Sequence, residues 1–425
     1  MKAIIHIGTP KTGSSTIQGF LAKNREALKM QDIFIPTSAC WLSGNHMELA
    51  AAAFSPTVWA PSVPWFSLML KEGFTTTDQD KLWEEYRHQI ETNCCQEDTV
   101  VFSCESFGNF VKEEVERVKT LLDPSFDDIT VVMYLRRQPE WITSMYYTAI
   151  LGGEVEDFLL FLNKKATERF SLDYQEIVER WSIFGKKKIK IRVFDKQEFH
   201  NNDLLSDFAY TVGFDMEGLE REDNRNVSSD ADEVEFLRLL NVHIPVRLDP
   251  RTFNPDRAHI DYFYHLDREK ESRSKSQGMY QFLSRDQAQR ILDQYRESSD
   301  WVAREYLGRE KLFNEDVSKY PEETGTHLLL TLERSVEISA QLLKSHAATI
   351  RDLQTAVQHR DTEIQARNTE LQRFQDERNV ANAEIQRLQN ERNAANAEIE
   401  RLLHRRSKRL LYRIKALLTW FKKKS

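Results

Sequence analysis

Residues 6–16 read HIGTPKTGSST, directly after the apolar run Ala3-Ile4-Ile5. In the common nucleotide-binding loop G-x-x-x-x-G-K-[ST], glycine-rich backbone cradles phosphates and the lysine after the second glycine reaches the terminal one. Gly8 and Gly13 keep that separation here, but Ser14 and Ser15 follow, and Lys11 stands inside the loop. The surroundings still describe an anion site. Residues 2–7 form a short β-type run, and residues 14–30 read as a helix. A helix start offers N–H groups without intrahelical acceptors and a partial positive charge, and both suit a phosphate.

Beyond the loop, β-rich runs fall at residues 33–35, 99–103, 129–135 and 188–194, with helical patterns such as 82–93 and 141–151 between them. That alternation predicts a parallel sheet with helices packed on its faces. TVVFS, ITVVMYL and KIKIRVF are nearly unbroken apolar or β-branched stretches, as buried parallel strands tend to be. We expect a P-loop-like, doubly wound α/β domain flanked by helices, with ligands bound beyond the carboxyl ends of the strands.

Those ends carry Gly8 and its loop, then Glu105 after TVVFSC, then Arg136 and Arg137 after ITVVMYL. A nucleoside triphosphatase normally ends an inner strand with an aspartate that holds magnesium. An arginine in that place suits a second phosphate, which its fork of donors can grip bidentately. Ser144, eight residues beyond Arg136 in the following helical pattern, can add a hydroxyl.

With these residues in view, the chain resembles sulfotransferases that use 3′-phosphoadenosine 5′-phosphosulfate (PAPS). Their P-K-[ST]-G-[ST]-[ST] loop is matched by Pro10, Lys11, Thr12, Gly13, Ser14 and Ser15, with Thr16 next. Their arginine and serine eight apart are matched by Arg136 and Ser144 in LRRQPEWITSMYY. The resemblance spans roughly residues 1–310, and the segments LLSDFAYTVGF and FLSRDQAQRILDQY resemble bacterial members. It implies PAPS as co-substrate and no metal, with the loop residues on the 5′-phosphosulfate and Arg136 and Ser144 on the 3′-phosphate. Sulfuryl transfer moves a group less charged than a terminal phosphoryl and needs no magnesium clamp. A lysine inside the loop can therefore balance charge on the bridging oxygen as the S–O bond breaks.

Related families supply a glutamate or a histidine as the base for an acceptor hydroxyl. Glu105, in SCESF, sits where a strand meets the site, and a closing pocket would raise its pKa towards a useful value. His46, in SGNHMELA, titrates near neutrality unaided and is the competing base. Arg273, Lys275 and Gly278 form a polar stretch that reads as a solvated loop. Two rival functions are a nucleotide-dependent phosphotransferase, disfavoured by the displaced lysine and the strand-end arginine, and a coiled-coil scaffold that binds nucleotide without turnover.

The chain has 425 residues and a net charge of -8, which gives no bias towards nucleic acid. Its cysteines, Cys40, Cys94, Cys95 and Cys104, lack the C-x-x-C spacing of zinc or redox sites, so buried thiols in a reducing compartment are expected. Pro321 is the last proline and Gly325 the last glycine. After them a heptad seam runs through Ile350, Val357, Ile364, Leu371, Arg378, Ile385, Arg392 and Ile399. Its partner positions are Leu353, Arg360, Arg367, Phe374, Ala381, Leu388, Ala395 and Leu402, which predicts a parallel coiled coil and a homo-oligomer. DERNVANAEIQRL recurs as NERNAANAEIERL, which reinforces the register.

From residue 405 to 424 the chain is basic and carries no Asp or Glu, with Leu410, Ile414, Leu417, Leu418 and Phe421 on one helical face. Such a helix suits an anionic membrane surface. The expected organisation is a catalytic domain over 1–315, a helical coiled-coil region over 322–404 and a basic amphipathic tail over 405–425. No window approaches a membrane span, so the expected location is the cytoplasm, at most on the inner face of the membrane. The acceptor expected from this architecture is a hydroxyl, or an amine, of a carbohydrate or glycolipid precursor of a bacterial surface or exopolysaccharide.

Overall fold

The computed structural model describes residues 1–37, 44–54, 76–95, 98–165, 172–221, 231–249, 252–255, 257, 282–323 and 330–422. Strands β1 (Lys2–Gly8), β2 (Ile33–Phe34), β3 (Thr99–Cys104), β4 (Asp128–Leu135) and β5 (Ile189–Val193) form one sheet in the order β2-β3-β1-β4-β5. Every pairing in it is parallel. The central strand is apolar in both directions because both of its faces are covered. Ala3, Ile5 and Ile7 pack on one side and Ile4 on the other. Burying a side chain such as Ile5 contributes roughly 1.5–3 kcal/mol.

Helices Met47–Ala53, Thr76–Asn93, Lys112–Leu122 and Tyr174–Trp181 cover the first face, through residues such as Leu49, Tyr86, Val118 and Trp181. Helices Ser14–Lys23 and Leu204–Val212 cover the second, through Ile17, Phe20, Leu21, Leu205 and Phe208. A third cluster, built mainly from helices, gathers Trp141, Tyr146, Phe161, Leu237 and Ile291.

This strand order fixes where a ligand can sit. From β1 the chain passes to β2 and β3 on one side, then crosses to β4 and β5 on the other, so the sheet has its switch point at β1. Register brings the strand ends level, with Gly8 opposite Tyr134 and Ile7 opposite Cys104. The loop after β1, Glu105 and Arg136 therefore leave the sheet side by side.

The helix expected over 14–30 is broken. It ends at Lys23, and a short second helix runs Arg25–Lys29. Asn24 makes the break: its amide nitrogen donates to Phe20 O at 2.8 Å and Glu220 O at 2.9 Å, and its side-chain oxygen accepts from Glu220 N at 2.8 Å.

The chain divides into two units, Met1–Leu343 and Lys344–Ser425. The first extends past the expected boundary at 315 because Tyr320 and Ile338 are buried and Leu342 packs against the helical cluster. A helix runs Leu332–Lys422. In the second unit the seam residues Ile350, Val357, Ile364, Leu371, Ile385 and Ile399 are all exposed. Among the described residues, no helix is long and apolar enough to cross a membrane.

Candidate active site

The loop between β1 and the helix Ser14–Lys23 is held by its own threonines. Thr9 Oγ1 donates to Tyr134 O at 2.9 Å, which ties the loop to the end of β4, and Thr12 Oγ1 donates to Thr9 O at 2.6 Å. Lys11 has φ 69° and Gly13 φ 78°. A Cβ on Gly13 would also fall 2.4 Å from Leu204 Cδ2, so glycine is required there on two counts. At Gly8 the missing side chain makes room for Ser14, whose Oγ would lie 2.1 Å from a Cβ.

The first backbone N–H of this helix with an acceptor is that of Ile17, which bonds Gly13 O at 3.1 Å. The N–H groups of Ser14, Ser15 and Thr16 precede it and belong to the set without intrahelical acceptors. Ser14 is 3 % exposed, and its hydroxyl is buried without a hydrogen-bond partner among the described residues. Helix-start donors beside one buried, unpartnered hydroxyl suit an anion.

Arg136 and Glu105 flank Lys11. Arg136 Nη1 donates to Lys11 O at 2.8 Å, and its guanidinium lies over the Phe194 ring, 5.4 Å from the centroid. The Arg136 carbonyl accepts from the Tyr174 hydroxyl. Glu105 opens a 3-10 turn, Glu105–Asn109, immediately after β3. Burial pushes its carboxyl above the usual range, and the Lys11 cation opposes that rise. Lys11 is shifted the other way: burial lowers its pKa, Glu105 counteracts this, and Arg136 adds to it. Among the described residues Glu105 has no hydrogen-bond or ion-pair partner.

The adjacent Arg137 turns away from the loop. It donates to Glu140 Oε1 at 2.7 Å and to Asp316 O at 2.8 Å, and Lys319 completes the group at 2.7 Å from Glu140. Ser144 lies on the helix Gln138–Leu151, 9 % exposed, and no hydrogen bond joins its hydroxyl to the loop.

His46 does not face the loop as a base would. It is fully buried, with Nε2 3.0 Å from Pro36 O and Nδ1 accepting from Ser103 N at 3.0 Å. Burial lowers its pKa to about 4, against the backbone bonds to Pro36 and Ser103. Both ring nitrogens are thus occupied in fastening the chain before Met47 to β3, and the competing base proposed from sequence is a structural residue. Arg273, Lys275, Gly278 and Cys40 lie outside the described residues.

Two neighbours of the site escaped the sequence reading. Phe194 both supports Arg136 and abuts the Gly13 position. It directly follows β5, so the strand-end rule could have marked it. Tyr174, which anchors the Arg136 carbonyl, had no comparable signal.

No family model matches the chain. Over 219 residues it is 26% identical to an uncharacterized protein of Archaeoglobus fulgidus, a match covering 50% of this chain and 55% of that protein. The chain thus spans about half the length of this relative. A crystallised sulfotransferase from Alicyclobacillus acidocaldarius superposes with a TM-score of 0.36 and 16% identity, over 56% of this chain and 92% of the other.

Proposed function

We propose that Met1–Leu343 is a sulfotransferase that moves a sulfuryl group from PAPS to an acceptor hydroxyl. One observation carries the reading: Lys11, inside the anion loop, is acted on by the charges of both strand-end residues, Glu105 and Arg136, and Arg136 holds the Lys11 carbonyl. The fit to a 5′-phosphate rests on the buried, partnerless Ser14 hydroxyl and on the N–H groups of Ser14, Ser15 and Thr16. Pro10, Thr12 and Gly13 shape that cradle. Arg136, with Ser144, would hold the 3′-phosphate.

In this scheme Glu105 takes the proton of the acceptor hydroxyl as the new S–O bond forms. The bond from sulfur to the bridging oxygen breaks, and Lys11 balances the charge left on that oxygen. The acceptor class is a carbohydrate or glycolipid hydroxyl, the second unit self-associates as a coil, and the basic tail docks on anionic lipid. A phosphotransferase is the weaker alternative because β4 leads into Arg136 rather than an acidic residue.

Calorimetry with 3′-phosphoadenosine 5′-phosphate and with adenosine 5′-phosphate tests the nucleotide assignment without an acceptor. We expect Arg136→Ala to weaken the first at least tenfold more than the second, whose smaller loss reports the missing clamp on the Lys11 carbonyl. Equal losses would remove Arg136 from the 3′-phosphate.

A further inference from the structure

The long helix exposes a stripe that needs a partner, and its charges say which partner and in which direction. Ile350, Leu353, Ile364, Leu371, Ile385 and Leu388 are each more than half exposed. One flank of this seam is acidic: every seventh residue from Glu363 to Glu398 is glutamate. The other flank is neutral, with Asn or Gln at every seventh residue from Asn368 to Asn396. An antiparallel pair would set one acidic column against another along its length. A parallel pair sets each acidic column against a neutral one.

The seam arginines give a second, independent indication. Among the described residues, Arg378 and Arg392 form no ion pair within their own chain, whereas the outward-facing Arg373 and Arg387 bond Glu377 and Glu391 at 3.0 and 3.1 Å. Each of those bonds uses the Oε1 atom of the glutamate. In a parallel pair, the residue just before a seam position flanks that same position on the other helix. Arg378 of one protomer then meets the partner's Glu377, and Arg392 meets the partner's Glu391. Ala381 and Ala395, the next seam residues, are small and leave room for the arginine stems.

We infer that the occupant of this face is a second copy of the chain, aligned parallel and in register, with Arg378 and Arg392 in reciprocal pairs across the seam. The inference rests on the parallel-coil reading above and adds the register, the number of strands and the residues that pair across the seam. Two strands follow from Ile at the first seam position with Leu at the second, in Ile350/Leu353, Ile385/Leu388 and Ile399/Leu402. The arginines can reach past the partner helix to the carboxylates while their stems cover apolar surface.

The test uses the full chain and two charge-reversed versions, Arg378→Glu with Arg392→Glu, and Glu377→Arg with Glu391→Arg. Sedimentation equilibrium is expected to give a dimer for the parent, a dissociated chain for each version alone, and a dimer again for their equal mixture. Restoration on mixing also shows that both versions are folded. In a separate Ala395→Cys version, oxidation should link position 395 to itself across the dimer, as peptide mapping would detect. A monomeric parent would overturn both the coil and this inference. A dimeric parent whose mixture stays dissociated, a three-chain mass, or the absence of the 395 link would overturn the inference and leave the coil standing.

Discussion

Lys11 holds a backbone conformation that a residue with a side chain rarely adopts, at φ 69°. Such a position costs on the order of 1–3 kcal/mol and persists only where neighbours enforce it. Here Thr12 closes the loop, and Arg136 clamps the Lys11 carbonyl. A glycine would sit there without strain, so under the proposed mechanism Lys11 trades stability for a charge at the site. Glu105 gives the residue scale its pH dependence. A general base must be ionised, and burial raises the carboxyl of Glu105. Turnover should therefore fall with decreasing pH through a value above the ordinary carboxylate range, and Glu105→Gln should abolish both the rate and that acid limb. An unchanged pH profile in Glu105→Gln would assign the base elsewhere.

The elements divide by how far their causes lie along the chain. β3 and β4 were legible because each is a run of residues buried on both faces, and β5 because buried Ile189, Ile191 and Val193 alternate with outward Lys190 and Arg192, as an edge strand does. Each signal is contained within the run itself. Glu105 and Arg136 were legible for the same reason, since locating the strand locates its end. The break at Asn24 was not legible. Its cause is a pair of hydrogen bonds to Glu220, 196 positions away, and no local periodicity reports that. His46 was misread for a related reason: its sequence context shows a polar residue near neutrality, while its burial and its bonds to Pro36 and Ser103 exist only in the folded chain. Asn24→Ala should lower stability by roughly 1–3 kcal/mol, because it removes two side-chain hydrogen bonds to the Glu220 backbone, each worth about 0.5–1.5 kcal/mol, while the Asn24 N–H still bonds Phe20 O. Denaturant unfolding measures this, and turnover at saturating nucleotide should be preserved. A loss under about 0.5 kcal/mol, the ordinary surface value, would show that the break is set by something else.

For the whole molecule, the tasks proposed for the two units are separable. Truncation after Leu402 removes Leu410, Ile414 and the basic residues from Arg405 to Lys424, and leaves the catalytic unit and the heptads. The shortened chain should stop co-sedimenting with phosphatidylserine vesicles while keeping its oligomeric mass. Each nearby cation contributes roughly 1 kcal/mol at such a surface, so the intact chain should also dissociate as salt rises. Vesicle binding that survives truncation would reject the tail as an anchor.

Transfer itself decides whether Lys11 and its surroundings catalyse sulfuryl transfer. The intact protein and Lys11→Gly are each incubated with sulfur-labelled PAPS and a panel of hydroxyl-bearing glycans and glycolipids, with ATP labelled in its terminal phosphate as a parallel donor. Removing one donor of this kind costs about 2.7–4 kcal/mol of transition-state stabilisation, or roughly 10²–10³ in rate. The expected result is sulfur label in the acceptor fraction with the intact protein, that rate loss in Lys11→Gly without a drop in melting temperature, and no transfer from ATP. Label arriving from ATP, or sulfur transfer undiminished in Lys11→Gly, would contradict it.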